Sequence, residues 1–330
     1  MRAFEYIRAI DVNGVRSNFS SAQTRFLAGG TTLLDLMKCG VERPDRLVDI
    51  TQLQGLADVV ISAERIRIGA LAKMSHVASN PQIQAQAPVL SESLWRAASP
   101  QLRNMASIGG NLMQRTRCTY FRDPAAYANC NKRNPGSGCA ALRGINRNHA
   151  ILGGSDACIA IYPGDFAVAL TAFNARVLIR GVTERQVPVN EFYRLPGNSP
   201  DIEHDLAVGE MIVGVEIPLV PALGRSHYLK VRDRASYEFA AASAAVGIEF
   251  EDDGHVIKDV RIAMGGVGTK PWRAEAVEQA LIGKPFNERV LRDAARHAVD
   301  GAKALEYNGF KVVLAPRVVA RALMTAGGLA

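Results

Sequence analysis

Leu27-Ala-Gly-Gly-Thr-Thr-Leu-Leu34 and Ser107-Ile-Gly-Gly-Asn111 are the two stretches that decide the fold. The first leaves a short apolar strand at 25–28 (Arg-Phe-Leu-Ala), turns on two glycines and enters a helix. That helix is predicted from Thr31 through Leu33, Leu34, Leu36 and Met37 to about Lys38, with Thr31 or Thr32 as N-cap. Cys39-Gly40 ends it, Gly40 suiting the left-handed position. Glycines let backbone N–H groups approach a ligand, and a helix start favours phosphate. The spacing is not the Gly-x-Gly-x-x-Gly of a Rossmann unit, and taken alone it is better read as an ordinary strand-to-helix turn. The second loop adds serine and asparagine side chains able to hydrogen-bond phosphate oxygens. Two such loops, with basic residues beside the second, suit a diphosphate held between two lobes.

Working outward, Leu47–Ile50 and Ile66–Gly69 read as strands, and Met74–Asn80 as a short helix stopped before Pro81. Residues 88–98 form an amphipathic helix carrying Trp95. From 112 to about 164 regular periodicity almost vanishes, and a loop of that length in a compact domain is usually functional or disordered. Periodicity returns at Asp165–Leu170, followed by a strand at Ala175–Arg180 and an alternating strand at Glu210–Ile217 stopped by Pro218. Residues 220–225 read as a linker. Strands near 227–232, 242–251 and 256–264 then precede helices near 273–282, 287–300 and 312–325, the order of a small α+β domain. The boundaries expected are 1–221, with an insertion at about 112–164, and 222–330.

The 330 residues are 48% hydrophobic and 22% charged, a normal globular balance with room for a large core. No apolar run approaches a membrane span, and Met1-Arg-Ala-Phe-Glu-Tyr-Ile-Arg8 shows no apolar h-region or cleavage-site pattern, so no secretory signal is expected. A chain folded in a reducing cytosol more often uses clustered cysteines for metal than for disulfides. Cys118, Cys130, Cys139 and Cys158 all fall in the aperiodic segment, and Cys39 alone lies elsewhere, read as a small apolar residue at a helix end. Four thiolates can hold a 4Fe-4S cluster or a tetrahedral zinc. The tight Cys-x2-4-Cys pair usual for zinc is absent, which weighs against zinc. Gly136, Gly138, Gly153 and Gly154 would let the backbone turn around a cluster.

The formal net charge is +7. Between 101 and 150 stand Arg103, Arg115, Arg117, Arg122, Lys132, Arg133, Arg143 and Arg147 against the single acid Asp123. Such a field suits a bound anion or an acidic partner, or is merely a solvated basic face. No nucleic-acid-binding motif accompanies the charge, and aromatics are only 6%.

The two glycine loops, Gly164-Asp165 before an alanine-rich helix, and Gly209-Glu210-Met-Ile…Ile217-Pro218 resemble, in the same order, the FAD-binding subunits of molybdenum hydroxylases. That family includes xanthine dehydrogenase, carbon monoxide dehydrogenase and aldehyde oxidoreductase relatives. The likeness continues through Lys230-Val-Arg-Asp-Arg-Ala-Ser-Tyr237 and Gly265-Gly-Val-Gly-Thr-Lys-Pro-Trp-Arg273, and so covers nearly the whole chain. It implies an α+β fold: a two-lobed FAD-binding domain of the PCMH or vanillyl-alcohol-oxidase type, then a smaller domain of the CO dehydrogenase flavoprotein C-terminal type. The segment Asn131-Lys-Arg-Asn-Pro-Gly-Ser-Gly-Cys139 resembles the branch that contains the FAD subunits of periplasmic-type aldehyde oxidoreductases, and implies FAD together with a 4Fe-4S cluster.

The resemblance also implies roles. Phe26, Leu27, Ala28, Gly29, Gly30, Thr31, Thr32, Leu33 and Leu34 should wrap the FAD diphosphate, with Ser107, Ile108, Gly109, Gly110 and Asn111 on its other side. Asp165 should accept hydrogen bonds from sugar or ribityl hydroxyls, Ile212 should pack on the flavin ring, and Lys230 should lie near its N1 and C2 carbonyl. Without the resemblance, Asp165 would be a helix cap and Lys230 a surface lysine. The four clustered cysteines should hold the cluster, whose negative charge the basic surround would balance. The implied activity is that of an oxidoreductase subunit. A large molybdenum-cofactor subunit would oxidise an aldehyde, and a small 2Fe-2S subunit would pass the electrons to this FAD and on to a terminal acceptor. A 4-hydroxybenzoyl-CoA reductase-like complex is the alternative. Assembly is expected in the cytoplasm, or export to the periplasm in complex with a signal-bearing partner.

Overall fold

The computed structural model describes residues 1–19, 21–252 and 254–329. Among these the chain forms three sheets. Strands β1 (Glu5–Arg8), β2 (Thr24–Leu27) and β3 (Arg46–Asp49) make a parallel sheet in the order β1-β3-β2. The helix Leu33–Lys38 crosses from β2 to β3. Strands β4 (Val59–Ile61), β5 (Arg65–Gly69), β6 (Arg176–Arg180), β7 (Glu184–Pro188) and β8 (Met211–Pro218) make an antiparallel sheet in the order β4-β5-β8-β6-β7. Strands β9 (Ser226–Val231), β10 (Ala242–Phe250), β11 (Ile257–Gly265) and β12 (Trp272–Arg273) form the third, antiparallel throughout. Mixed layers of this kind are the α+β architecture that the sequence implied.

The middle sheet joins the two lobes of the first half. One face carries Leu178, Met211 and Val213 against Val48 of the small parallel sheet and Ile50 and Leu53 just after it. The other carries Ile66, Ile68, Val177, Val215 and Ile217 against the helices Met74–Ser79, Pro88–Trp95 and Phe166–Ala172. Strand β8 was expected to alternate simply, and it does not. Gly214 pairs with Leu178 but Ile212 pairs with Ile179, so Val213 is an extra residue in the ladder. This bulge shifts the parity by one, and Ile212 joins the same core as Val215 and Ile217.

Three further expectations are adjusted. Pro88–Trp95 is shorter than the predicted helix, and a second helix, Pro81–Gln86, starts where Pro81 was read as a stop. Pro at the first turn has no N–H to lose, and Asn80 Oδ1 caps this helix by accepting from Gln82 and Ile83. The linker at 220–225 contains a helical turn, Pro221–Gly224, whose Ala222 and Leu223 are fully buried.

In the C-terminal half, the helices Glu275–Leu281, Glu288–Ala295 and Phe310–Gly327 cover one face of the third sheet. The opposite face turns toward the first half. The two-residue period of β9 sends Ser226, Tyr228 and Lys230 inward together.

Candidate functional site

From Phe26 at the end of β2 through Leu34 in the next helix the chain stays half-buried. A Cβ on Gly29 would penetrate the Met105 carbonyl, and Ala106 lies immediately behind it. Only a residue without a side chain lets the first glycine loop reach the segment leading into the second. Gly30 has φ +72°, the left-handed region that favours glycine. Thr32 occupies the N-cap position, yet its hydroxyl makes no capping bond.

The second loop is fixed from the other side. The Val213 carbonyl at the β8 bulge accepts from Ala70 N at 3.1 Å, and Ala70 O accepts from Gly109 N at 2.8 Å. Ile108 N donates to Ala72 O at 3.0 Å, while Ser107 Oγ accepts from Gly110 N at 3.3 Å. Asn111 points its Nδ2 at Met74 Sδ, and its Oδ1 is buried with no partner. A buried, unpaired acceptor is costly unless something donates to it. The short helix Ile108–Leu112 touches both β8, which carries Ile212, and the helix that follows Asp165.

Asp165 and Lys230 come together as a buried ion pair, Nζ to Oδ2 at 2.8 Å, with side chains 6% and 1% exposed. Lys230 also donates to Arg96 O at 3.1 Å, and Tyr228 donates to Asp165 Oδ1 at 2.7 Å. Neither plain alternative holds: Asp165 makes no side-chain cap, and Lys230 is not on the surface. Tyr228 was not singled out from sequence, although its position two residues before Lys230 on a strand puts both on one face.

The four clustered cysteines line one small pocket together with Phe121, Asn131 and Ala160. None forms a disulfide. Cys130 and Cys139 oppose each other across an isolated antiparallel bridge, closed by turns in which Gly136 and Gly138 take positive φ. Burial pushes the Cys118 thiol up to about 12 and the Cys158 thiol up to about 11, Lys132 opposing the rise at Cys158. Thiols so shifted stay protonated and inert unless a metal takes the proton's place. Among the described residues, no three His, Cys, Asp or Glu side chains are gathered tightly enough for a single metal ion. Cys39 caps the helix Leu33–Lys38, with Arg122 Nη2 at 3.9 Å.

The basic excess between 101 and 150 is largely neutralised by acids from distant sequence. Arg115 bonds Glu42 at 2.6 Å and Glu203 at 2.9 Å, and Lys132 reaches Glu203 at 3.1 Å. Arg117 and Arg122 share Asp35, while Arg147 meets Asp233. Arg133 spends its guanidinium on the carbonyls of Tyr120, Phe121, Tyr127 and Ala128. Sequence alone showed the cations and not their partners. The structure also adds His149, whose Nε2 lies 3.2 Å from Cys118 Sγ, a residue that no motif marked.

Residues 2–220 match the family model described as the FAD binding domain in molybdopterin dehydrogenase. The chain belongs to that family. Residues 227–325 match the CO dehydrogenase flavoprotein C-terminal domain. Among curated relatives, the aldehyde oxidoreductase FAD-binding subunit PaoB of Escherichia coli (strain K12) is 43% identical over 339 residues, covering 99% of each chain. The glyceraldehyde dehydrogenase medium chain of Sulfolobus acidocaldarius is 28% identical, covering 88% of this chain and 85% of that one. Among solved structures, carbon monoxide dehydrogenase from Hydrogenophaga pseudoflava superposes with a TM-score of 0.76 at 25% identity, over 99% of this chain and 98% of that one. The chain is therefore an FAD-binding oxidoreductase subunit. Its residues fit the cofactor: a close-approach glycine, a left-handed glycine and a buried, unpaired Asn111 acceptor lie on loops brought side by side. Among the described residues, no helix is long and apolar enough to cross a membrane.

Proposed function

We propose that this chain is the FAD- and iron–sulfur-binding electron-transfer subunit of a three-subunit molybdenum hydroxylase that oxidises an aldehyde. The carrying observation is that Cys118, Cys130, Cys139 and Cys158 line one pocket at the root of the insertion. Cys118 follows Asn111 by seven positions and Cys158 precedes Asp165 by seven. Both outer ligands are thus tied by short chain segments to the flavin loops. The aldehyde assignment and the partners, a large molybdenum-cofactor subunit and a small 2Fe-2S subunit, are supported by the 43% identity to an aldehyde oxidoreductase FAD-binding subunit over 99% of this chain.

In this reading the backbone of Phe26–Leu34 lies along one side of the FAD diphosphate, and Ser107–Asn111 along the other. Gly29 and Gly30 give access, Thr31 and Thr32 add hydroxyl donors, and Asn111 Oδ1 takes a hydroxyl proton. Ile212 supplies an apolar surface for the ring. Asp165 accepts from sugar or ribityl hydroxyls, and with Tyr228 it orients Lys230, whose cation favours negative charge on the reduced flavin. The two groups supply conversion between two-electron and one-electron transfer. The four thiolates hold the cluster, and the half-buried pocket limits its contact with solvent. The domains expected at 1–221 and 222–330 stay as the working division.

Absorption spectroscopy with iron and acid-labile sulfide analysis on anaerobically purified protein tests the reading. Flavin bands with about four iron and four sulfide per chain are expected, as four thiolates imply for a 4Fe-4S centre. Flavin with no iron would overturn the cluster assignment. Aldehyde oxidation is expected only after the molybdenum subunit is added, and aldehyde turnover by the isolated chain would refute the division of labour.

A further inference from the structure

We infer that His149 is a positioning residue for the iron–sulfur centre: its Nε2–H donates to Cys118 Sγ and raises the reduction potential of the group that Cys118 helps to hold. The inference rests on the presence of that group, as proposed above. His149 Nε2 lies 3.2 Å from Cys118 Sγ. The ring is buried, and its Nδ1 is buried without a partner. A neutral imidazole has one N–H, and a metal-bound thiolate can only accept. The Asn146 carbonyl competes for the ring proton, but a metal-bound sulfur that can only accept places that proton on Nε2, directed at the sulfur. In metal-free protein the thiol can instead donate to the ring, so ligation of the sulfur fixes the tautomer.

The ring reaches Cys118 because the backbone behind it is fastened to the C-terminal half. Asn308 Nδ2 donates to Ala150 O at 3.2 Å and reaches His149 O at 3.5 Å. Tyr307 N donates to Asn146 Oδ1 at 3.1 Å, and His149 N donates to Asn146 O at 3.0 Å. Of the other ligand candidates, Cys158 receives a backbone bond from Ala160 N at 3.4 Å. Cys118 is the one that meets a side-chain N–H among the described residues. Adding an electron increases negative charge on the sulfurs, so a donor binds the reduced state more strongly than the oxidised one. Hydrogen bonds to ligand sulfurs are among the factors that set these potentials.

The test is an anaerobic redox titration of the full-length protein beside His149→Leu and His149→Gln, each with iron, sulfide and flavin contents measured. Expected is unchanged content with a centre harder to reduce in His149→Leu. The shift predicted is about tenfold in the reduced-to-oxidised ratio at a fixed potential, which is about 59 mV for one electron. His149→Gln, which keeps an N–H donor, should recover part of it. Equal potentials in all three proteins at equal iron content would overturn the inference. So would loss of iron from both variants, which would make the imidazole a ligand or a packing element. Wild-type protein without iron would remove the underlying cluster reading itself, a separate result visible before any titration.

Discussion

Gly29 is the residue with least freedom in the site, because any side chain there collides with the Met105 carbonyl. Gly29→Ala should lose about 1–3 kcal/mol of stability, as overpacking commonly does, and purify with less FAD per chain. Denaturant midpoints and flavin content read both effects. The Asp165–Lys230 pair should be more sensitive. Removing one partner leaves a buried charge uncompensated, so Lys230→Met alone should cost about 3–5 kcal/mol. The double variant with Asp165→Asn should lose less than the sum of the two single losses, and equal additive losses would show that the pair does not act as a unit. Lys311, fully buried and donating to Gly266 O at 2.6 Å, offers a pH signature. Burial first, and Arg147 second, lower it from 10.5 to about 8. As pH falls from about 10.5 toward 8 the unfolded chain takes up the proton first, so the folded state loses stability across that window. Unfolding midpoints of wild type should therefore rise with pH there relative to Lys311→Met. The glycines were legible in the sequence because a strand, two glycines and a helix start are local. The link from Tyr228 to Asp165 was not, since it spans two elements far apart in the chain.

The elements divide the same way. Strands with a clear period and helices with a start signal are found close to their expected places, from Thr24–Leu27 to Phe310–Gly327. Local pattern failed where a second partner intervened. The bulge at Val213 has no composition signal, yet it faces Ile212 toward the main core and turns a carbonyl to Ala70. The buried turn Pro221–Gly224 read as a linker because its proline and glycine look like punctuation. The insertion is held by bonds between isolated residues and not by ladders, so its sequence carries no regular period. The cysteine chemistry at its root makes a specific prediction. On the proposed cluster assignment, Cys130→Ser should abolish the broad cluster absorbance while most of the FAD remains, because Cys130 packs with Leu36 and Phe121. Loss of flavin in equal measure would mean that the insertion and the flavin loops fold as one unit.

Across the whole molecule the two largest cores interlock. Tyr228, Ala245 and Ala263 from the C-terminal half sit in the core of the first half, while Ile151 and Leu152 of the insertion sit in the core of the second. Asn308→Ala would strand the buried Ala150 carbonyl, at about 1–3 kcal/mol, and free the half-buried Leu305 N–H at a smaller cost. Calorimetry should show the transition lowered as a whole, without a separate early step for either half. The net charge of +7 was legible from sequence, and its meaning was not, because Asp35, Glu42, Glu203 and Asp233 approach the insertion only in the folded chain. The anchoring of Ile151 and Leu152 also sets an order of events during synthesis. Their partners Val267 and Lys303 leave the ribosome more than a hundred residues later. A nascent chain stalled before Val267 should keep the four clustered thiols open to alkylation and fail to retain added iron and sulfide. Loading would thus be among the last steps in the maturation of this polypeptide, after translation has all but ended.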